Sequence, residues 1–171
     1  MINFLKELFQ LVKMLFATNP NDCNKVELFP MNYFPFTGYK YMMWCGKMIY
    51  RINNKDNIMS SIGTPTYTKD VTHETIHLKQ AQIEGTWLKY YWRYVCEWIK
   101  GNPILHPSSS AYYTIPFEME AYANENDSNY PVNYDGKYLH CYDIKNRKST
   151  YKKYGSSRQW KEYVKTIEKS I

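Results

Sequence analysis

The stretch "VTHETIHLKQ", residues 71–80, sets histidines at 73 and 77 and a glutamate directly after the first. On an α-helix, residues i and i+4 share a face, so both imidazoles can reach one point in space. Glu74 is turned by about 100° from His73 and reaches beside that point rather than onto it. This is the H-E-x-x-H pattern, in which two histidines hold zinc and the glutamate acts as general base on a zinc-bound water. Thr75 and Ile76 are uncharged and Val71 and Leu78 apolar, so such a helix can lie on a core with its histidines toward a cleft.

A catalytic zinc usually takes three protein ligands and keeps one position open. Continuation of the same run would need glycine at 80 and histidine at 83, where the chain has Gln80 and Ile83. The stretch "PFEMEAY", residues 116–122, offers Glu118 and Glu120 instead. Two positions apart on a helix, these carboxylates point away from each other. Glu118 shares its face with Ala121, Tyr122 and Glu125, and the small Ala121 permits close approach of two helices. The expected ligands are therefore His73, His77 and Glu118, with Glu74 as base. Glu120, Gln80 and Glu125 are supporting or alternative ligands. His106 and His140 are outside candidates.

H-E-x-x-H followed by E-x-x-A resembles the gluzincin side of the zincin superfamily. That resemblance implies a Zn²⁺ cofactor, Glu118 as its third ligand, and peptide-bond hydrolysis by a Glu-activated zinc-bound water. Many gluzincins have aspartate four residues beyond the ligand glutamate, supporting a zinc-bound histidine; here Tyr122 stands at that place. A longer resemblance covers residues 40 to 125. The succession "GKMIYR", "HETIHLKQAQIE", an aromatic helix and "AYYTIPFEMEAYANE" is similar to small zincin-like proteins of Bacteroidetes bacteria. It implies an α+β fold with a small antiparallel sheet, a long zinc-binding helix and a second, glutamate-bearing helix. Residues 47–52 are expected to form an edge strand on the cleft, where a peptide substrate could add by β-augmentation. Tyr112, Tyr113 and Tyr122 are candidates to donate to an oxyanion, Tyr122 being taken with Glu74 as catalytic.

The 171 residues suit one domain: an amphipathic N-terminal helix over 1–18, a metal-site core over 40–125 and a basic, Tyr-rich region over 128–171. The formal charge is +6, with an excess toward the C-terminus in Lys145, Arg147, Lys148, Lys152, Lys153, Arg158 and Lys161. No nucleic-acid-binding motif accompanies it, so a solvated basic face is expected. Cys23, Cys45, Cys96 and Cys141 form no CxxC pair and read as reduced, mostly buried thiols. Leu5, Leu8, Val12 and Leu15 fall at helical spacing, and this helix is expected to pack on its own domain; a membrane surface or a partner is the alternative. No uncharged run approaches the roughly 18 residues of a spanning helix, and no signal peptide is read at the start. The expected location is cytoplasmic or assembly-associated.

Along the chain, residues 27–41 read as a loop, and 41–52 as β structure turning at Gly46. "NNKDN" reads as a turn and 58–68 as a weak strand and loop. Asp70 is expected to cap a helix that runs to about Lys100, breaking at Gly85 and closing at Gly101; its aromatic half (86–100) is expected to be buried, with a face pressed on a membrane or partner as the alternative. Asp135-Gly136 suggests a hairpin. The last helix opens on a capping box at Ser156 and Gln159 and turns Trp160, Tyr163, Val164, Ile167 and Ile171 inward. The competing functional class is a non-catalytic interaction protein on a zincin scaffold, such as a subunit of a phage particle or a membrane-associated assembly.

Overall fold

Residues 2–101, 109–136, 139–142, 144, 147–154 and 156–167 are described by the computed structural model. Three short strands, β1 (Glu27–Met31), β2 (Met42–Trp44) and β3 (Lys47–Arg51), form one sheet in the order β1-β3-β2. β2 and β3 are a hairpin with Trp44 opposite Lys47. Its two turn residues have φ of 50° (Cys45) and 78° (Gly46), the positive pair that a tight two-residue hairpin needs. A Cβ on Gly46 would lie 2.8 Å from the Cys23 sulfur, so this glycine is demanded twice.

The expected α+β class is the observed one, but the sheet is mixed. β1 runs parallel to β3, pairing Glu27 with Lys47 through Met31 with Arg51. The sequence reading took 27–41 as a loop because Pro30 counts as a turn former. β1 tolerates that proline because it is an edge strand with one neighbour. β3 is the central strand, paired on both sides, so the expected addition of a peptide to residues 47–52 has no free edge there.

Eight helices are present among the described residues. α1 (Ile2–Ala17) precedes the sheet. After β3, a 3-10 turn (Ile52–Asn54) leads into α2 (Lys55–Ser61), where a turn and a weak strand were expected. Ile58 is the one buried side chain of α2, which is not the alternation of a strand. α3 (Pro65–Glu84) begins earlier than Asp70. Its cap is Thr64, whose hydroxyl accepts the Tyr67 N–H, with Pro65 at the first turn. Asp70 lies inside the helix and pairs with Lys40 at 2.6 Å. α3 stops at Gly85, whose left-handed φ of 83° lets its N–H close on Ala81 and Gln82. Thr86 then caps α4 (Trp87–Lys100), so the long run is two helices.

α5 (Ser109–Tyr113) and α6 (Pro116–Asn124) follow, with Pro116 in the first turn of α6 as expected. α7 (Arg147–Tyr154) and α8 (Ser157–Ile167) close the described chain. The capping box forms between Ser156 and Gln159. Ile171 lies outside the described residues, as do Lys145 and His106. No strand occurs at Asp135-Gly136 among the described residues.

α6 is the hub. Phe117 enters a core with Leu78 and Ala81 of α3 and Trp87 and Tyr90 of α4. Met119, on the opposite side, enters a second core with Tyr142, Trp160 and Val164. Residues 116–121 are all buried, which puts Glu118 and Glu120 inside the protein. Two expectations of burial fail. In α4 only Trp87 and Tyr90 are buried, and Trp92 is 69% exposed. In α1 only Leu11 is buried, while Phe9 and Phe16 are 71% and 73% exposed. Each helix has two apolar faces, and the core covers one of them. Of the four thiols, all free, only Cys45 is buried. No described helix is long and apolar enough to cross a membrane.

Candidate metal centre

Helical spacing does what the sequence promised at His73 and His77. Their Nε2 atoms lie 3.2 Å apart, both rings buried on one face of α3. α6 brings Glu118 against them. Its Oε2 lies 3.4 Å from His73 Nε2 and its Oε1 3.3 Å from His77 Nε2. These three residues are the cluster that could hold a metal ion among the described residues.

The partners on the far side of each ring fix the protonation. Glu125 Oε2 lies 3.2 Å from His73 Nδ1 and, as a carboxylate, can only accept. Gln80 donates its amide nitrogen to the Phe117 carbonyl and to Glu120 Oε2, so its oxygen faces His77 Nδ1, at 2.8 Å. Both Nδ1 atoms therefore carry hydrogens, and in their neutral forms the two rings present Nε2 lone pairs to each other and to Glu118. Glu118 Oε2 is buried and has no hydrogen-bond partner. These lone pairs repel one another unless a cation, a metal ion or a proton, lies among them. Ligands about 2.0 Å from a tetrahedrally held ion stand about 3.3 Å from one another, the order of the distance between the two Nε2 atoms and of each Nε2 from its nearer Glu118 oxygen. The residues present fit a metal ion.

Protons compete for the same lone pairs. Burial opposes the His73 imidazolium, but hydrogen bonds to Glu118 and Glu125 outweigh it and push the pKa up to about 10. Glu118 is held well below the usual carboxylate range, burial being overcome by His77 and His73. A site of this kind draws in positive charge.

The supporting residues divide as α6 divides. Glu120, which the sequence left between ligand support and solvent, is buried and accepts from Gln80, Tyr130 and Tyr134 at 2.7, 3.0 and 2.9 Å. Glu125 also pairs with Lys69 at 2.9 Å. Tyr94, unremarked in the sequence, donates its hydroxyl to Glu118 Oε1 at 2.7 Å. The one clue was its place on the buried stripe of α4, since a buried tyrosine hydroxyl needs a partner. Lys69 stands one turn before His73 on α3, and Tyr130 and Tyr134 lie together after α6; no motif in the sequence marked any of the three. His140 is exposed and takes no part.

The cluster opens on a cleft of ≈ 510 Å³ with His73 and Glu74 in its wall. Glu74 makes no hydrogen bond or ion pair among the described residues, and burial raises its pKa above the ordinary value, partly offset by His73 and His77. Tyr112, Tyr113 and Tyr122 form one side of the cleft, and segment 38–41 forms another. The Tyr122 ring lies 4.6 Å from that of His73, centre to centre, with its hydroxyl 3.5 Å from that of Tyr112. Comparison of the chain with protein-family models, with curated proteins and with solved structures finds no match.

Proposed function

We propose that this chain is a zinc-dependent metallopeptidase of the gluzincin kind. One observation carries the reading: His73, His77 and Glu118 converge beside a cleft lined by His73 and Glu74, with Glu118 Oε2 buried and unpartnered and Glu74 unpaired among the described residues. Two imidazoles and a carboxylate are a donor set of catalytic zinc. A zinc ion there would polarise a substrate carbonyl and lower the pKa of a water toward about 7.

The chain's own groups supply the rest. Glu74, unpaired and with a raised pKa, takes the proton from the attacking water and returns it to the leaving amine. Glu125 and Gln80 hold the two rings by their Nδ1–H groups. Tyr122 and Tyr112 are the cleft hydroxyls that would donate to the developing oxyanion. Elemental analysis tests the site: about one zinc per chain is expected in wild type, and much less in Glu118→Ala. Glu74→Gln should keep zinc and lose cleavage of a peptide library. Equal cleavage by Glu74→Gln and wild type would overturn the mechanism.

The exposed helix faces favour a second role, which does not exclude the first. Ile2, Leu5, Phe9, Val12 and Phe16 of α1 are all exposed and repeat at three- and four-residue spacing. Lys6 and Lys13 are exposed beside that seam, without ion-pair partners among the described residues. On α4, Leu88, Trp92, Val95 and Ile99 repeat the pattern. Apolar seams with flanking lysines suit the surface of an anionic membrane. Binding to phosphatidylserine-containing vesicles, weakened by salt and by Phe9→Asp, is expected. Equal indifference to anionic and zwitterionic vesicles, or burial of the seam in a dimer seen by light scattering, would overturn it.

A further inference from the structure

The wall of the cleft carries three lysines and three carboxylates, but only two of each are paired with one another. Lys40 is paired with Asp70 at 2.6 Å, and Lys69 with Glu125 at 2.9 Å. The third lysine of the cleft wall, Lys161 of α8, has no carboxylate within ion-pair distance among the described residues. Its ammonium sits 3.6 Å over the Tyr122 ring and 5.3 Å from the centre of the Tyr113 ring. Burial lowers its pKa, with Lys69 and Lys165 acting the same way and the more distant carboxylates of Glu125 and Glu118 offsetting only part of it. A cation held over aromatic faces is attracted by them yet keeps its charge for a partner.

The acids of the cleft are in the opposite condition. Asp70 and Glu125 are occupied by lysines, and Glu74 is the proposed base. No carboxylate is left over to receive a substrate's amino terminus. With a divalent ion in the cluster, three lysines and the ion face the four carboxylates Asp70, Glu74, Glu118 and Glu125. One positive charge remains.

We propose that Lys161 is the specificity group of this cleft, binding a substrate carboxylate next to the scissile bond. This rests on the reading of the cleft as a peptide-hydrolysing site. The carboxylate is either the peptide's C-terminus or the side chain of an acidic residue. The aromatic wall of Tyr112, Tyr113 and Tyr122 would flank the substrate chain beside it. A substrate with only a free ammonium at this place meets an unpaired like charge, so amino-terminal trimming is disfavoured.

The test is calorimetric titration of the zinc-loaded Glu74→Gln protein, which isolates binding from turnover. The probes are N-acetyl-dialanine against its C-terminal amide, and N-acetyl-alanyl-glutamyl-alanine amide against its glutamine counterpart. At least one carboxylate probe is expected to bind tenfold or more tightly than its neutral twin. The first pair reports a chain terminus and the second an acidic side chain. Adding Lys161→Gln should reduce the preference below threefold, and adding Lys161→Arg should keep it. Overturning results are equal binding of acid and amide in both pairs, no binding of any probe, or a preference that survives Lys161→Gln. Cleavage by wild type is scored separately. Carboxylate preference without any cleavage would sink the peptidase reading alone, while cleavage indifferent to substrate charge would sink the present inference alone.

Discussion

Replacing Glu125 by glutamine tests whether the hydrogen bond behind His73 belongs to a metal site. Glutamine keeps the length and one oxygen acceptor, and it removes the negative charge that faces His73 Nδ1 at 3.2 Å and Lys69 at 2.9 Å. Residues that orient a metal-bound histidine typically change metal affinity by about 10–100-fold, equivalent to about 1.4–2.7 kcal/mol. That loss can be read in two ways. Competition against a chromophoric zinc chelator gives the dissociation constant directly. Thermal unfolding gives it through linkage, since zinc well above both dissociation constants stabilises each protein in proportion to the logarithm of its affinity. For a chain of this size 1 kcal/mol moves the melting point by about 2–4 °C, so the zinc-induced rise should shrink by about 3–11 °C in Glu125→Gln. Melting points without zinc control for loss of the Lys69 pair. A dissociation constant within threefold of wild type, with zinc bound, would show that Glu125 does not support the metal.

Two other perturbations probe the frame. Gly46→Ala forces a Cβ into a backbone with φ of 78° and to within 2.8 Å of the Cys23 sulfur, whereas Gly63→Ala meets a φ of 85° with open space around it. The left-handed conformation alone costs about 1–2 kcal/mol, so urea midpoints should fall for both and fall further for Gly46→Ala; equal losses would refute the contact with Cys23. Glu7 ties α1 to the segment after β1, accepting from the Asn32 and Tyr33 N–H groups and the Asn32 amide at 2.8, 3.0 and 2.8 Å. Burial raises its pKa, but these three donors outweigh that and leave it lowered. Its stabilisation is therefore present above the unfolded carboxyl value and lost as pH falls through the folded one. Glu7→Gln should cost about 1 kcal/mol at pH 7, at the modest end because the group is partly solvated, and the gap to wild type should close toward pH 3. A gap that does not change with pH would refute the charge-assisted bonds.

What was legible in the sequence was whatever one helix decides by itself. His73, Glu74 and His77 follow from helical spacing, Glu118 was separated from Glu120 by face, and Gly85, Pro116 and Ser156 marked helix ends through backbone chemistry. The failures came where another element decides. Pro30 is harmless in β1 because that strand lies at an edge, and no local rule says so. Thr64 and Asp70 are both good caps, and Asp70 lost because Lys40 claims it while Pro65 starts the helix. The apolar faces of α1 and α4 looked like core because composition cannot say how many faces the rest of the chain will cover. Tyr94, Tyr130 and Tyr134 were hidden among 18 tyrosines.

The departure at Tyr122 shows how helix geometry should be used to judge a motif. A carboxylate four residues beyond Glu118 would be rotated by about 40° from it, and one seven residues beyond by about 20°, since each residue turns about 100°. Position 125 therefore lies on the face of Glu118 at least as squarely as position 122, one turn further along. Glu125 uses that turn to reach the far nitrogen of His73. The exchange leaves position 122 open for a residue that lines the cleft, and Tyr122 carries both the His73 ring contact and the Lys161 ammonium. The acid missing at one offset is present at the next return of the same face, so a fixed spacing would reject a site that the helix still builds.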